Sequence, residues 1–469
     1  MNDGKVEVRG SKVRELRGLK HWKQEGLATT AGLSVRTLSK LEKGGRHPVD
    51  TVAKIAFALG VSTEALLVGD FPDGPLTVPS PLTFDVLNTA LIDAVKALLR
   101  WFLDLEHGGF FYAVARQPSN EFIPEDLSKR LEDSCLVSWA LLEACTSLSE
   151  PLRTEAAAAA TQTLLLIHRH LRLKDGLLVV AKTRDWQPLH NSVDVESEDI
   201  SAYVISCCEA FQYTKDGQYK RRAQLVADQM QRLLWDERHG AFSHSAKWHQ
   251  QKTVPIGEPS WANVFSLIAL AKLCGICGTR REEQEKYSES LRSLLIYCDS
   301  WYELSGRTRQ KLSPGRSLFP NAVYLYGLVE ANRMLPEEER DVNVTGGEMK
   351  VVEWIVGRYD AEYSTFVNTD DPSSSYTNAL SIAAACAALN EWHLFSGEVP
   401  CESQVVLDRV MSTMLQKGML GPGVLGRQIE RTWKATSHHT LLASQAWLIL
   451  SLASFLKRRT FGPQKEKSS

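Results

Sequence analysis

Gln24–Glu42 reads QEGLATTAGLSVRTLSKLE. It holds two short amphipathic segments, Gln24–Ala31 and Val35–Glu42, separated by Gly32-Leu33-Ser34. Leu27, Ala28, Ala31, Leu33, Leu38 and Leu41 fall at spacings that bury one face of each segment against the other. Gly32 can take the positive φ that a tight turn requires. Ser34 suits the N-cap of the second segment. Val35, Arg36, Ser39, Lys40 and Lys43 are left as an outward face. A short helix with Arg and Lys on its free face has the size and charge to enter the major groove of DNA.

Upstream, Ser11–Leu19 reads as a helix with Val13 and Leu16 turned inward. Downstream, Val49–Leu59 and Thr63–Leu67 read as two more, with Pro48 just ahead of the first. Residues 8–68 resemble a Cro-type phage-repressor helix-turn-helix domain of five helices. The likeness rests on the Gln opening the second helix, LATTAGLS, LSKLEKG, the RHP after it, and AFALGVS at the end. It implies sequence-specific binding to a double-stranded DNA operator. By the same resemblance, Gln24 contacts phosphate and Val35, Arg36 and Lys40 take base-reading positions. The other use of such a domain is to bind protein.

The full chain has 469 residues, 43% hydrophobic and 23% charged, enough for two or more folded domains. Its net charge of −2 conceals an asymmetry. Residues 1–70 hold 12 Lys and Arg against 8 Asp and Glu, a net +4 that leaves −6 for the remainder. A basic head on an acidic body suits a protein that meets nucleic acid at one end. No signal peptide is visible, nor an apolar run of about 18 residues, so no membrane partner is expected. Nine cysteines, most within apolar stretches, fit reduced thiols in a cytoplasm. Cys274-x-x-Cys277 lacks a second pair at zinc spacing, so core packing is expected there and no metal or cofactor is assigned. Residues 69–83, with four prolines, form an expected linker.

From Phe84 to about residue 457 the sequence predicts twelve helices, starting near Phe84, Glu132, Pro151, Glu198, Gln218, Ser260, Arg281, Leu318, Met349, Tyr376, Glu402 and His438. A polar tail, 458–469, follows. Odd-numbered helices are amphipathic and lead into a turn, often with a strand-like piece such as DERHGAFSHS. Even-numbered ones, such as SWANVFSLIALAKL, run almost wholly apolar and must be buried on all sides. Six such hairpins close most simply into a ring, apolar helices inside. The expected fold class is all-α, a helix-turn-helix domain followed by an (α/α)6 barrel.

This layout resembles the six-hairpin glycosidases, and among them the N-acylglucosamine 2-epimerase and mannose isomerase group. The specific pieces are D-x-x-x-GGF at Asp104–Phe110, D-x-x-x-GAF at Asp236–Phe242 and W-K-x-x-x-H at Trp433–His438. The resemblance implies that His438, with His439 beside it, acts on a sugar. The family's second histidine, followed three residues later by glutamate, falls on Glu258 and Trp261, which removes half of the acid–base pair. Glu258 and His438 are the candidate catalytic residues.

A ring of inner helices brings their N-termini to one mouth, where free N–H groups and positive dipole ends favour anionic or hydroxyl-rich ligands. Glu132, Asp133, Glu198, Asp199, Trp261, Asn263, Asn321, Tyr376, Asn378, His438 and His439 lie at those starts, and Arg184 and Trp186 precede the fourth helix. Aromatic faces for a pyranose and polar tips for its hydroxyls make a sugar-binding set. Ordinary capping accounts equally for Asp133, Asn321 and Asn378, and core packing for the tryptophans. The expected protein is a transcription regulator, dimeric on its operator, whose barrel binds a sugar-like ligand. A working isomerase, epimerase or glycosidase with a DNA-binding head, and a barrel serving as a protein scaffold, are the alternatives.

Overall fold

The computed structural model describes residues 5–19, 22–59, 66, 82–119, 121–187, 194–249, 252–277, 281–307, 317–336, 345–360, 363–367, 376–396, 401–426, 428–430 and 439–461. The chain divides into two compact units, one of Met1–Pro81 with Asp360–Ser364 and one of Leu82–Tyr359 with Thr365–Ser469.

In the first unit, α1 (Gly10–Leu19), α2 (Gln24–Thr30), α3 (Val35–Leu41) and α4 (Val49–Leu59) enclose Val13, Leu27, Ala28, Leu38, Leu41, Val52, Ile55 and Leu59. Gly32 has φ +62°. The Leu33 N–H then reaches back to the Ala28 carbonyl at 2.8 Å. Ser34 Oγ accepts from the Thr37 N–H at 3.1 Å, capping α3. Glu42, only 3% exposed, locks the pair from behind. It accepts from Arg17 Nε of α1 at 2.6 Å and from Gln24 Nε2 of α2 at 2.7 Å. Strands Lys5–Val8 and Gly45–Pro48 form an antiparallel ribbon outside the expected elements; KVEV does alternate polar and apolar residues, but four residues are too short a run to stand out, and GRHP has no such alternation. The expected helix Thr63–Leu67 lies outside the described residues except for Leu66, which is buried in this core.

The second unit holds all twelve expected helices. They are α5 (Phe84–Trp101), α6 (Leu131–Ala144), α7 (Leu152–His170), α8 (Ser197–Thr214), α9 (Gly217–Leu234), α10 (Asn263–Cys277), α11 (Arg281–Arg307), α12 (Leu318–Met334), α13 (Thr345–Val356), α14 (Ala379–Ser396), α15 (Cys401–Lys417) and α16 (Leu442–Phe461). The even-numbered ones pack in sequence, each on the next, and α16 returns to α6, so the ring is closed. Sequence explains the layers. In α14, ALSIAAACAALNEWHL is buried almost throughout, and its alanines let neighbouring helices approach. In α9 only one face is buried, carried by Tyr219, Ala223, Val226, Ala227, Met230 and Leu234. Thr83, the last residue of the expected linker, caps α5 by accepting from the Val86 N–H at 3.3 Å. Residues 69–81 lie outside the described residues. The expected tail begins inside α16, where Arg458 is buried against Asp408, and 462–469 lie outside the described residues.

Four helix starts lie three or four residues from expectation, at Asn263, Thr345, Ala379 and Leu442, and strand pairing accounts for the last two. Tyr376–Asn378 pairs as a strand with Gln428–Glu430, and His439–Leu441 pairs with Ala113–Arg116. Partner strands satisfy their backbone groups, so α14 and α16 begin only at Ala379 and Leu442.

The barrel axis is filled. Trp139 and Trp447, both fully buried, meet at 6.0 Å, and Tyr326 stands edge-on to each at 5.4 and 6.2 Å. Deeper, Lys272 of α10 bridges Glu209 of α8 and Glu330 of α12, while Arg333 bridges Glu330 and Glu391 of α14. Four successive inner helices are tied by this buried ionic belt, whose charges are each met by an opposite one.

Candidate functional site

At the N-terminal ends of α6 and α8, five carboxylates come together: Glu132, Asp133, Glu196, Glu198 and Asp199. Asp199 is 3% exposed, and its Oδ1 accepts from the Glu132 N–H at 3.1 Å, so it caps α6 from the neighbouring helix. Asp133 accepts from the Ala443 N–H and so caps α16 in the same manner. Capping consumes only part of the acceptors: Asp199 Oδ2 and Glu198 Oε2 are buried without a hydrogen-bond partner. Burial, and then mutual repulsion, drive the Glu132 and Asp199 carboxyls well above the usual carboxylate range. Burial raises Asp133 to about 6, against the pull of Arg130. Burial and the neighbouring Glu196 raise Glu198 to about 7.

His244 faces this cluster from the strand Ala241–His249. Its Nδ1 lies 3.7 Å from Glu198 Oε2 and 3.0 Å from Ser260 Oγ. Trp261 and Phe319, both half-buried, meet at 6.4 Å, and Phe319 leads inward to Trp447 at 6.0 Å. Acid–base groups bordered by aromatic rings are what a pocket for a polar, ring-shaped ligand requires.

Asp133 and Glu198 therefore stand together, and Trp261 belongs to the aromatic group. Other expected contacts are spent elsewhere. Asn263 is fully buried and its amide is saturated, taking the Phe242 N–H at 2.9 Å and donating to the Phe242 and Ser260 carbonyls. It is a structural clamp, not a ligand group. Asn378 Oδ1 accepts from the Leu380 N–H at 3.0 Å, and Asn321 Nδ2 donates to the Ser317 carbonyl at 2.8 Å. Arg184 grips Asp104 through two nitrogens at 3.0 and 3.1 Å. Trp186 is 4% exposed and donates Nε1–H to the His107 carbonyl at 2.9 Å. Both brace the Asp104–Phe110 loop, not the carboxylate cluster, because each has its polar atoms on that loop. Glu258 is exposed in the strand Lys252–Pro259, with Tyr297 of α11 as its electrostatic neighbour. His438 lies outside the described residues, and His439 sits in a strand ahead of α16.

Glu132 and Asp199, expected at the inner-helix starts, complete the cluster together with His244, which was not expected there. His244 was legible in one respect. Phe242, His244 and Ala246 alternate along one strand face, and Phe242 and Ala246 are buried.

On α3, Val35 is 38% exposed, Arg36 and Lys40 are exposed, as is Lys43 just past its end, and Ser39 is half-buried. Gln24 is half-buried, held by Glu42. Among the described residues no three His, Cys, Asp or Glu are grouped to hold a metal. Cys135, Cys145, Cys207, Cys208, Cys274, Cys277, Cys298 and Cys386 are buried thiols not joined in a disulfide. No helix among them is long and apolar enough to cross a membrane.

These features define a helix-turn-helix unit followed by an (α/α)6 barrel. Residues 13–66 match the family model described as Helix-turn-helix. No curated protein matches the chain by sequence. Among solved structures the barrel is similar to cellobiose 2-epimerase from Bacillus thermoamylovorans B4167, with TM-score 0.64, 13% identity, and coverage of 80% of this chain and 99% of that one. It is similar to a D-mannose isomerase at TM-score 0.62 and 14% identity, covering 83% of this chain and all of that one. A family 76 glycoside hydrolase from a bovine Bacteroides thetaiotaomicron strain follows at TM-score 0.57 and 12% identity, covering 80% and 78%. At such identities these likenesses establish the fold.

Proposed function

We propose that this is a one-component transcription regulator of the cytoplasm. The helix-turn-helix unit, residues 8–68, binds a double-stranded DNA operator, and the barrel, residues 84–457, binds a carbohydrate-like ligand without cofactor or metal. The observation that carries the first half is α3 itself, whose exposed Val35, Arg36 and Lys40 stand on a helix fixed from behind by Glu42, with exposed Lys43 just past its end. Arg36 and Lys40 read base edges, Ser39 and Lys43 extend that surface, and Gln24 and nearby basic residues hold phosphates. Two copies of the chain on paired half-sites match the symmetry such domains use. In a binding selection against random duplexes, Arg36→Ala should relax preference at one base position by roughly 1–3 kcal/mol. Wild-type affinity should fall steeply as salt rises. Binding that ignores salt and sequence overturns the proposal.

In the barrel, Asp133, Glu198 and Trp261, with Glu132, Asp199 and His244 added, supply the ligand contacts. The likeness to sugar epimerases and isomerases supports a carbohydrate, and His438 and His439 remain proposed members of the site. A second reading, an active sugar enzyme, is favoured by one observation: Glu198, raised to about 7, stands beside His244 and suits proton transfer near neutral pH. Under that reading aldoses or ketoses turn over, and Glu198→Gln or His438→Ala lowers the rate by about a hundredfold or more. Ligand-dependent melting shifts without turnover support the regulator.

A further inference from the structure

We infer that the ligand of the barrel mouth carries a protonated amine, making it an aminated sugar and not a neutral or acidic one. The inference rests on the carbohydrate reading and adds the charge. Five carboxylates crowd together at the starts of α6 and α8, and among the described residues the basic groups near them are Arg130 and His244. Arg130 is already engaged, 3.6 Å from Asp126 and stacked over Tyr112 at 3.6 Å. His244 Nδ1 is hydrogen-bonded to Ser260 Oγ at 3.0 Å and stands 3.7 Å from Glu198 Oε2, beyond hydrogen-bond reach. Two deeply placed acceptors, Asp199 Oδ2 and Glu198 Oε2, receive no hydrogen bond. Ser444 Oγ, next to the Ala443 N–H that holds Asp133, is also fully buried without a partner.

Buried acceptors left open in a native fold point to a group that completes them. An ammonium supplies three donors and the opposite charge at once. A sugar hydroxyl supplies one donor and no charge, and a carboxylated sugar meets repulsion. Trp261 and Phe319 offer faces for the C–H side of the ring. Because burial raises Glu198 to about 7, an incoming cation that favours its ionised form displaces a proton. Glu132, Asp133, Glu196, Glu198, Asp199, Asp126, Arg130 and His244 are the charged groups that set this exchange.

The test is melting of the full chain near neutral pH against D-glucosamine, D-glucose and D-glucuronate, with calorimetry in two buffers to count protons. Glucosamine should reach its half-maximal shift at a concentration at least about tenfold below the other two and release protons on binding. Glu198→Gln should erase most of that preference while the ligand-free circular dichroism stays unchanged. Asp199→Asn, which can keep the bond to the Glu132 N–H, is the second variant. Glucose or glucuronate equalling glucosamine overturns the inference and leaves the carbohydrate reading standing. A preference that survives both substitutions also overturns it. No shift from any of the three overturns both.

Discussion

Lys129→Ala should lower the stability of the barrel by roughly 3–5 kcal/mol, a loss typical of removing one member of a buried ion pair. Lys129 is fully buried, with Nζ 2.9 Å from Asp104 Oδ2 and 4.8 Å from the centre of the Phe111 ring. Asp104 also accepts from the Glu106 and His107 N–H groups at 3.1 and 3.2 Å and from Arg184. The motif Asp104–Phe110 is thus a structural knot joining the segments that lead into α6 and α8. A side chain at Gly109, which has φ +71°, would come within 2.9 Å of Trp186. Urea unfolding followed by circular dichroism measures the loss; a change below about 1 kcal/mol would mean the pair adds nothing net. The knot also predicts acid sensitivity. Burial alone would raise Asp104, but hydrogen bonds from Arg184 and Lys129 outweigh it and hold the carboxyl well below its ordinary value. A depressed acid stabilises the fold above its unfolded pKa, about 4, and that contribution fades as pH falls below it.

Glu198→Gln should do the reverse and stabilise the protein, by up to about 3 kcal/mol at pH 8, a ceiling set by roughly 1.4 kcal/mol per pKa unit. Burial and Glu196 raise the Glu198 carboxyl to about 7. An acid whose folded pKa is raised costs stability once pH climbs above its unfolded value, and the full cost is present above the folded one. The gain should therefore vanish near pH 4, where both states hold the proton. Equal melting temperatures for variant and wild type across this range would mean that the carboxyl is solvated. A stabilising change that weakens ligand binding is the mark of a site maintained against the fold's own preference.

Most of the barrel was legible because its inner helices are apolar on every side and its outer ones on a single side, a contrast that no solvent-facing sheet produces. What sequence misplaced has a common cause. Tyr376 and His438 are polar residues ahead of an apolar run and read as helix starts, yet α14 and α16 begin three and four residues later. Pairing with distant strands at 428–430 and 113–116 decides that, and no local pattern encodes it. Asn263 and Trp186 show the same limit within the site. Their residue types suit a ligand, but Phe242 and His107 claim their polar atoms first. His244 was hidden for the opposite reason, since only the fold of its strand brings it to Glu198. The recognition helix was plain from the start, because its cap, its glycine turn and its charged face lie within one short stretch.

Closure of the ring has a bearing on how the protein is made. The joint between residues 131–144 and 442–461 couples the first inner helix of the ring to its last. Until α16 leaves the ribosome, the α6 side of that joint lacks its cover, and Trp139 has no Trp447 to meet. The helix-turn-helix core needs no such wait, since its described residues all fall within 8–66. A nascent chain stalled before α16 emerges would thus carry a finished helix-turn-helix core and an apolar seam open to chaperones or to a second stalled copy.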